Sequence, residues 1–112
     1  MNEVPLCELA LSCDNLLCDM HGRPPSPLVV IYVRFSKHLS VRYGSTEIVE
    51  TCSNPCFSKT VLFRASDGLT GDAVVRIVVY DVKERVSATA VPMGFTAMLL
   101  STIQVTGLHH PV

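Results

Sequence analysis

The sequence contains no hydrophobic run long enough to cross a lipid bilayer. A membrane-spanning helix needs about 20 apolar residues, whereas the longest apolar run here, residues 28–33, has only the length of a β-strand. The first three residues carry one acidic side chain, Glu3, and no basic one, so the basic segment that opens a secretory signal peptide is missing. We therefore expect neither a transmembrane segment nor a signal peptide.

The chain also has almost no net charge, with a formal value of −1 at pH 7. Proteins that bind nucleic acid usually carry a strong positive excess, because they must neutralise phosphates. Nucleic acid is therefore not an expected partner. Any surface that binds anions must be built from a local group of basic side chains.

The cysteines do not suit a closed disulfide framework, because their number is odd. The five are Cys7, Cys13, Cys18, Cys52 and Cys56. Together with the missing signal peptide, this favours a reducing, cytosolic compartment.

Hydrophobic residues make up 48% of the 112 positions and charged residues 17%, which is typical of a globular chain with one modest core. The strongest local pattern lies at residues 74–85, where Val75, Ile77 and Val79 alternate with other side chains. This period of two predicts a half-buried β-strand that ends at Asp81 and is followed by a charged loop.

Alternation and turn residues predict five further strands. They cover residues 7–13, 28–35, 41–50 with a bulge near Gly44, 57–63 and 93–100. Residues 17–27, 51–55, 64–72 and 82–92 are predicted to be loops, since they are rich in proline, glycine and polar residues. No segment predicts a convincing helix. The expected fold is therefore all-β, an antiparallel β-sandwich.

The order of these signals resembles a C2 domain, a β-sandwich in which loops at one end meet membranes. The matching stretches are residues 15–16, 19–22, 26–29, 46–49, 53–57, 79–83 and 93–94. Two segments look most like the C2 domain of the inositol polyphosphate 4-phosphatases: residues 46–50 with 54–57, and residues 79–85. Residues 54–59 are also similar to the copines, a weaker likeness.

The resemblance implies the circularly permuted C2 topology, in which two more strands should follow the sixth. Only residues 101–112 remain after it, and they could supply at most one short strand. We therefore expect an incomplete C2-like domain over residues 6–100, truncated at its C-terminus, and a tail outside the family over residues 101–112.

The resemblance also bears on calcium, because a calcium-binding C2 domain takes about five acidic residues from its first and third loops. Asp19 and Asp81 match two of these positions, but Ser26 and Lys83 replace two others. An ammonium group at such a position would repel a cation. We expect no cofactor and no metal, with Asp19 and Asp81 as weak Ca²⁺ candidates. The alternative is that both carboxylates bond backbone amides in turns.

Basic residues of the same loops predict binding to anionic phospholipids. Arg23 would lie on the first loop, and Lys83 and Arg85 on the third, with Met20 and Val82 as small apolar contacts at the same end. Each basic residue near an anionic bilayer contributes about 1 kcal/mol, so three would give weak binding.

A second basic cluster falls on the predicted hairpin between the second and third strands. It contains Arg34, Lys37, His38 and Arg42, of which Lys37 and Arg42 are further lipid-binding candidates. The alternative for this cluster is ordinary solvated hairpin charge.

The cysteines raise the question of a thiol site, either catalytic or metal-binding. The 4-phosphatases use a Cys-x5-Arg signature, in which a thiolate attacks phosphorus, and this chain has no such spacing. No catalytic residue is therefore predicted, and the chain is not expected to be an enzyme by itself. Cys18, His21, Cys52 and Cys56 could in principle bind Zn²⁺, with half-buried free thiols as the alternative.

The sequence thus predicts a Ca²⁺-independent module for phospholipid or phosphoinositide binding, cytoplasmic and peripheral at membranes. It would resemble the non-catalytic N-terminal part of a phosphatidylinositol-3,4-bisphosphate 4-phosphatase. The alternative is a protein–protein interaction module, with protein partners and no lipid role.

Overall fold

The computed structural model describes residues 5–34, 39–84, 89–106 and 109–111. The elements are β1 Cys7–Ser12, β2 Pro27–Arg34, β3 Ser40–Ser45, β4 Val61–Phe63, a 3₁₀-helix Ala65–Asp67, β5 Val74–Glu84, β6 Thr89–Leu99, α1 Leu100–Thr106 and β7 His109–Pro111. The strands form a four-stranded sheet in the order β3-β2-β5-β6 and a three-stranded sheet in the order β4-β1-β7. Every pair is antiparallel except β1 with β7. The predicted antiparallel sandwich is confirmed.

Strand β5 is a central strand of the larger sheet, since it pairs with β2 on one side and β6 on the other. The predicted inward residues Val75, Ile77 and Val79 are at most 3% exposed. Val78 points to the opposite face, yet it is only 4% exposed, because Val30 and Phe95 flank it in the neighbouring strands. The strand is therefore covered on both faces over part of its length.

The core lies between the two sheets and is built from the alternating inward residues of both. Its fully buried members include Leu9, Leu11, Val29, Ile31, Val33, Phe63, Val75 and Ile77. Each such side chain stabilises the fold by about 1.5–3 kcal/mol relative to an exposed one. Phe57 and Val61 are buried as predicted, although β4 is limited to Val61–Phe63. Phe35, also expected to point inward, lies outside the described residues.

The predicted loop at residues 82–92 is wrong at residues 82–84 and 89–92; residues 85–88 lie outside the described residues. Strand β5 continues past Asp81 to Glu84, and β6 begins at Thr89, four residues before the predicted start. Two register irregularities, at Val79/Tyr80 and at Val82/Glu84, interrupt the β5–β6 pairing. The first of them lies beside Pro92, which is tolerated because β6 is an edge strand.

The expectation of no helix is also wrong. Helix α1 starts where the sixth strand was predicted to end, and Leu100 and Ile103, three positions apart, are both fully buried. The Leu100 N–H donates to the Ala73 carbonyl oxygen at 2.9 Å. A helical turn brings residues three apart onto one face, so the two side chains reach the core together. No helix in the described part of the chain is long and apolar enough to cross a bilayer.

The predicted bulge near Gly44 is confirmed. Ile31 pairs with Gly44 while Tyr32 pairs with Arg42, so Tyr43 is the extra residue. The strand ends at Ser45, and not at residue 50, and the Glu47 carboxylate accepts the N–H groups of Ser58 and Lys59 at 2.7 and 3.1 Å. The Thr46 Oγ1 accepts the Val29 N–H at 3.0 Å.

Candidate functional site

The loop after β1 and the paired ends of β2 and β5 enclose a polar recess of about 380 Å³. We call it the tip recess; it is lined by Asp19, Arg23, Pro24, Ser26, Thr51, Asp81, Val82 and Lys83. Pro27 pairs with Asp81 in the sheet, so residues far apart in sequence meet at this end of the sandwich. The recess brings together four of the residues that the sequence singled out: Asp19, Arg23, Asp81 and Lys83.

Asp19 organises the first wall of the recess. Its Oδ1 accepts the backbone N–H groups of His21 and Arg23, each at 2.9 Å, and its own N–H donates to the Arg23 carbonyl oxygen at 3.0 Å. Gly22 closes this turn with a φ of 77°, a left-handed value that favours glycine. The Arg23 amide, the His21 amide and the nearby charges of Arg23 and Lys83 hold the pKa of Asp19 below its ordinary value. The turn fixes the backbone from which Arg23 projects.

Asp81 and Lys83 form the opposite wall, and both lie in β5. Residues two apart in a strand point the same way, which places the Lys83 Nζ 2.8 Å from the Asp81 Oδ2. The Asp81 Oδ1 accepts the Ser26 N–H at 2.9 Å. Burial raises the pKa of Asp81, but the hydrogen bonds from Lys83 and Ser26 outweigh burial and hold that pKa below its ordinary value.

The recess therefore contains two carboxylates and two cationic side chains. Lys83 has a raised pKa because it donates to Asp81 and lies near Asp19. Ser26, at the position of a third ligand, is already used, since its Oγ accepts the Thr51 N–H at 3.1 Å. Among the described residues, no group of three or more histidine, cysteine, aspartate or glutamate side chains could hold a metal ion.

Apolar side chains project from the same loop into solvent. Met20 is 91% exposed, and Leu17 is 82% exposed. Val82 lines the recess. The sequence pointed to Met20 and Val82 but missed Leu17, whose neighbour Leu16 packs against the core. A pair of adjacent leucines before a polar loop is the signal that could have identified an exposed one.

The basic candidates do not form one surface. Arg23 and Lys83 share the tip recess, whereas Arg42 lines a different cavity. Lys37 and Arg85 lie outside the described residues, as does His38 of the hairpin cluster.

The cavity beside Arg42 is a groove of about 730 Å³ on the outer face of the four-stranded sheet. We call it the tyrosine groove; it is lined by Leu28, Val30, Tyr32, Arg42, Glu47, Ile48, Tyr80, Val82 and Ala90. The hydroxyls of Tyr32 and Tyr80 lie 3.0 Å apart across β2 and β5. The hydrogen bond with Tyr32 and burial raise the pKa of Tyr80. Its size and mostly apolar walls are those of a ligand pocket, and the sequence analysis did not find it.

The thiols are all free. Cys7 and Cys13 are buried, and burial raises the pKa of both, to about 11 for Cys13. The four zinc candidates do not assemble, because the described residues hold no metal-binding group. Instead, the Cys18 Sγ lies 3.7 Å from the Ser53 Oγ.

Comparison with known proteins connects this geometry to a family. The family model of the C2 domain matches residues 6–110. Human inositol polyphosphate 4-phosphatase type II is 34% identical over 82 residues, which are 72% of this chain and 9% of the human protein. The rat type II inositol 3,4-bisphosphate 4-phosphatase is 30% identical over the same share of the chain. The chain thus matches a small fraction of the length of these curated relatives.

Solved structures show the same fold at low sequence identity. The domain described as BON1-C2B superposes with a TM-score of 0.70 at 21% identity, covering 90% of this chain and 70% of that one. A C2 domain of the RIM protein from Drosophila gives a TM-score of 0.56 at 16% identity, covering 79% of this chain and 68% of that one. The predicted resemblance is confirmed by the family model and by the 4-phosphatase relatives: the chain belongs to the C2 domain family.

Proposed function

We propose that this C2 domain binds anionic phospholipids through the tip recess and does so without calcium. The observation that carries the proposal is the exposed Arg23 of the recess beside the exposed Leu17 and Met20; Lys83 lies in the same recess but is paired with Asp81. Basic side chains attract anionic headgroups, and an apolar loop can enter the interface beside them.

The expected interaction is weak and reversible. A basic residue near an anionic bilayer contributes about 1 kcal/mol, and burying a leucine or a methionine contributes about 1.5–3 kcal/mol. Arg23 with Leu17 and Met20 would therefore supply roughly 4–7 kcal/mol, which corresponds to a Kd between about 1 mM and about 10 μM. Such a module would add to the membrane affinity of a larger protein.

Calcium independence rests on the Lys83–Asp81 ion pair. The Lys83 ammonium already neutralises the Asp81 carboxylate from 2.8 Å, so a divalent cation would have to displace it. Calcium prefers six to eight oxygen ligands, mostly carboxylates, and the recess supplies two carboxylates.

The parent activity is proposed from the relatives. The proteins matched by sequence carry the names of inositol polyphosphate 4-phosphatase type II and type II inositol 3,4-bisphosphate 4-phosphatase. We infer that the chain is a non-catalytic module related to such an enzyme, because its sequence has no Cys-x5-Arg motif. A phosphoinositide is then the favoured headgroup, and a cytoplasmic, membrane-peripheral location follows.

The test is charge reversal at the recess. Arg23→Glu changes the local charge by two units, so binding to phosphatidylcholine vesicles containing phosphatidylserine should weaken by about 30-fold. The matched control is Arg64→Glu. Arg64 directly follows β4, whose last residue pairs with the first residue of β1. It therefore lies at the other end of β1 from the loop that forms the recess. The rival site is tested with Arg42→Glu in the tyrosine groove.

Co-sedimentation with these vesicles measures all three variants. Weaker vesicle binding of Arg23→Glu alone supports the tip recess as the lipid site. Weaker vesicle binding of Arg42→Glu alone assigns lipid binding to the tyrosine groove. Unchanged binding in both variants, with melting temperatures equal to that of the unsubstituted chain, would overturn the proposal.

A further inference from the structure

Strand β6 forms one edge of the four-stranded sheet. Over the described residues it pairs with β5 and with no other strand. An edge strand presents unpaired N–H and C=O groups, so it can pair with another chain unless the protein blunts it. The other edge, β3, is blunted: it has six residues, a bulge and the exposed Arg42.

The two halves of β6 differ in this respect. The first half contains Pro92, and both register irregularities of the β5–β6 pair lie opposite it. The second half, residues 94–99, pairs with β5 in unbroken register from Val79↔Gly94 to Val74↔Leu99. It contains no charged residue and no proline. Residues 94–99 therefore lack the charge, the proline and the bulge by which many edge strands avoid pairing.

The outer face of this half carries exposed apolar side chains and a fixed cation. Phe95 is 64% exposed, and Leu99 is 46% exposed. The Arg76 guanidinium lies 4.5 Å from the centroid of the Phe95 ring. Because Phe95 belongs to the edge strand, this contact carries the guanidinium from β5 out over β6. A guanidinium has five N–H donors and binds carboxylates well.

We propose that residues 94–99 dock an extended segment of a partner protein, which adds to the sheet as a fifth strand. Its backbone would pair with β6, and its apolar side chains would lie beside Phe95 and Leu99. An acidic side chain opposite Phe95 would meet the Arg76 guanidinium. Recognition by strand addition takes affinity from the backbone bonds and specificity from the side chains.

Charge decides between an acidic partner and a second copy of this chain. The outer face near this edge carries Arg76, whose guanidinium lies over Phe95 of β6. In a second copy docked edge to edge, the Arg76 guanidinium over each β6 would find no acidic side chain on the facing residues 94–99. An acidic segment complements the same surface.

The experiment uses the whole chain and two synthetic peptides. One is a nine-residue peptide of alternating threonine and valine with a single central glutamate; the other has lysine in place of the glutamate. NMR titration follows the backbone amides. We expect shifts centred on residues 94–99 and binding of the glutamate peptide about tenfold tighter than that of the lysine peptide.

Two variants make the result specific. Arg76→Glu should reverse the preference, so that the lysine peptide binds more tightly, whereas Arg42→Glu on the opposite edge should leave it unchanged. Three results would overturn the proposal: amide shifts that miss β6, equal binding of both peptides, or sedimentation of the free chain as a dimer whose residues 94–99 are protected from exchange. Lipid binding at the tip recess is measured separately, so failure here leaves that proposal standing.

Discussion

At the scale of single residues, Asp81 and Lys83 form an ion pair in the wall of the tip recess. Their ion pair turns a position suited to a metal ligand into an internally neutralised one. Asp19 is held in a similar way by the backbone amides of His21 and Arg23. Arg23 is an exposed residue of this turn, so its positive charge is accessible to an anionic headgroup.

The lowered pKa of Asp81 predicts a pH dependence of stability. The folded-state pKa of Asp81 lies below the ordinary value of about 3.9. The ionised carboxylate therefore stabilises the fold fully at pH values above about 3.9. This stabilisation is lost as the pH falls through the folded-state pKa. We expect Asp81→Asn to melt at a lower temperature than the unsubstituted chain at neutral pH, and the difference to shrink below about pH 4.

Thermal melts across this pH range check the prediction. The exposed Asp14, changed to Asn, controls for the loss of one carboxylate. A difference for Asp81→Asn that stays constant from neutral to acid pH would contradict the assignment of the ion pair and the Ser26 hydrogen bond.

Calcium should leave the melting temperature unchanged. A site saturated at 100 times its Kd would stabilise the fold by about 2.7 kcal/mol, which a thermal melt detects easily. The expected result follows from the occupied oxygens of Asp19, Ser26 and Asp81. A rise in melting temperature that a chelator reverses would show that Lys83 does not keep calcium out.

At the scale of elements, local pattern predicts where strands lie better than where they end. Period two locates β5 and its buried residues, because a strand that packs one face on a core must alternate. The same pattern misses the continuation of β5 to Glu84 and assigns Pro92 to a loop. A proline is compatible with an edge strand, and whether a strand is an edge depends on sheet order, which local sequence does not contain.

The same limit applies to the sites. Asp19, Arg23, Asp81 and Lys83 can be identified from family-like loop positions. The tyrosine groove cannot, because its side chains come from four strands and the segment after β3. Tyr32 pairs with Arg76 and Tyr80 pairs with Leu28, so their hydroxyls meet diagonally across the sheet, which no local pattern reveals. Helix α1 escapes prediction because so short a segment has too few residues to show a helical period.

Strand β5 gives a direct test of the packing. Ile77 is fully buried, so Ile77→Ala should destabilise the fold by about 2–4 kcal/mol. Arg76→Ala, one residue away on the outer face, should cost at most about 1 kcal/mol, the worth of its contact with Phe95. Urea denaturation measures both free energies of unfolding. Equal losses would mean that the alternation does not describe this strand.

At the scale of the whole molecule, the tip recess and residues 94–99 of β6 lie at different places on the sandwich. The tip recess lies where β2 begins and the loop after β1 emerges, while the tyrosine groove and the β6 edge lie on the outer face of the larger sheet. Val82 lines both cavities, so a membrane at the tip would lie close to the groove, whereas residues 94–99 lie further along the sheet. The proposed lipid contact and the proposed protein contact would therefore use different parts of the molecule.

The exposed apolar side chains of the tip predict a membrane contact that is independent of charge. Changing Leu17 and Met20 together to serine should weaken vesicle binding by at least about tenfold, since burial of such a side chain contributes about 1.5–3 kcal/mol. Folding should be unaffected, because both are almost fully exposed. Leu39→Ser is the control, because Leu39 is also exposed, by 54%, but lies far from the tip. It precedes β3, and its neighbour Ser40 pairs with Arg34 at the end of β2 opposite to the recess. Equal losses in control and test would contradict the tip assignment.

The central claim is that the unsubstituted chain binds anionic membranes without calcium. Its most direct test is co-sedimentation of the whole chain with vesicles of phosphatidylcholine alone, or with added phosphatidylserine or phosphatidylinositol 3,4-bisphosphate, each in a calcium chelator and in excess calcium. We predict binding to both kinds of anionic vesicle, weakened by salt and equal with and without calcium. Binding that requires calcium, or no preference for anionic over neutral vesicles, would contradict the account.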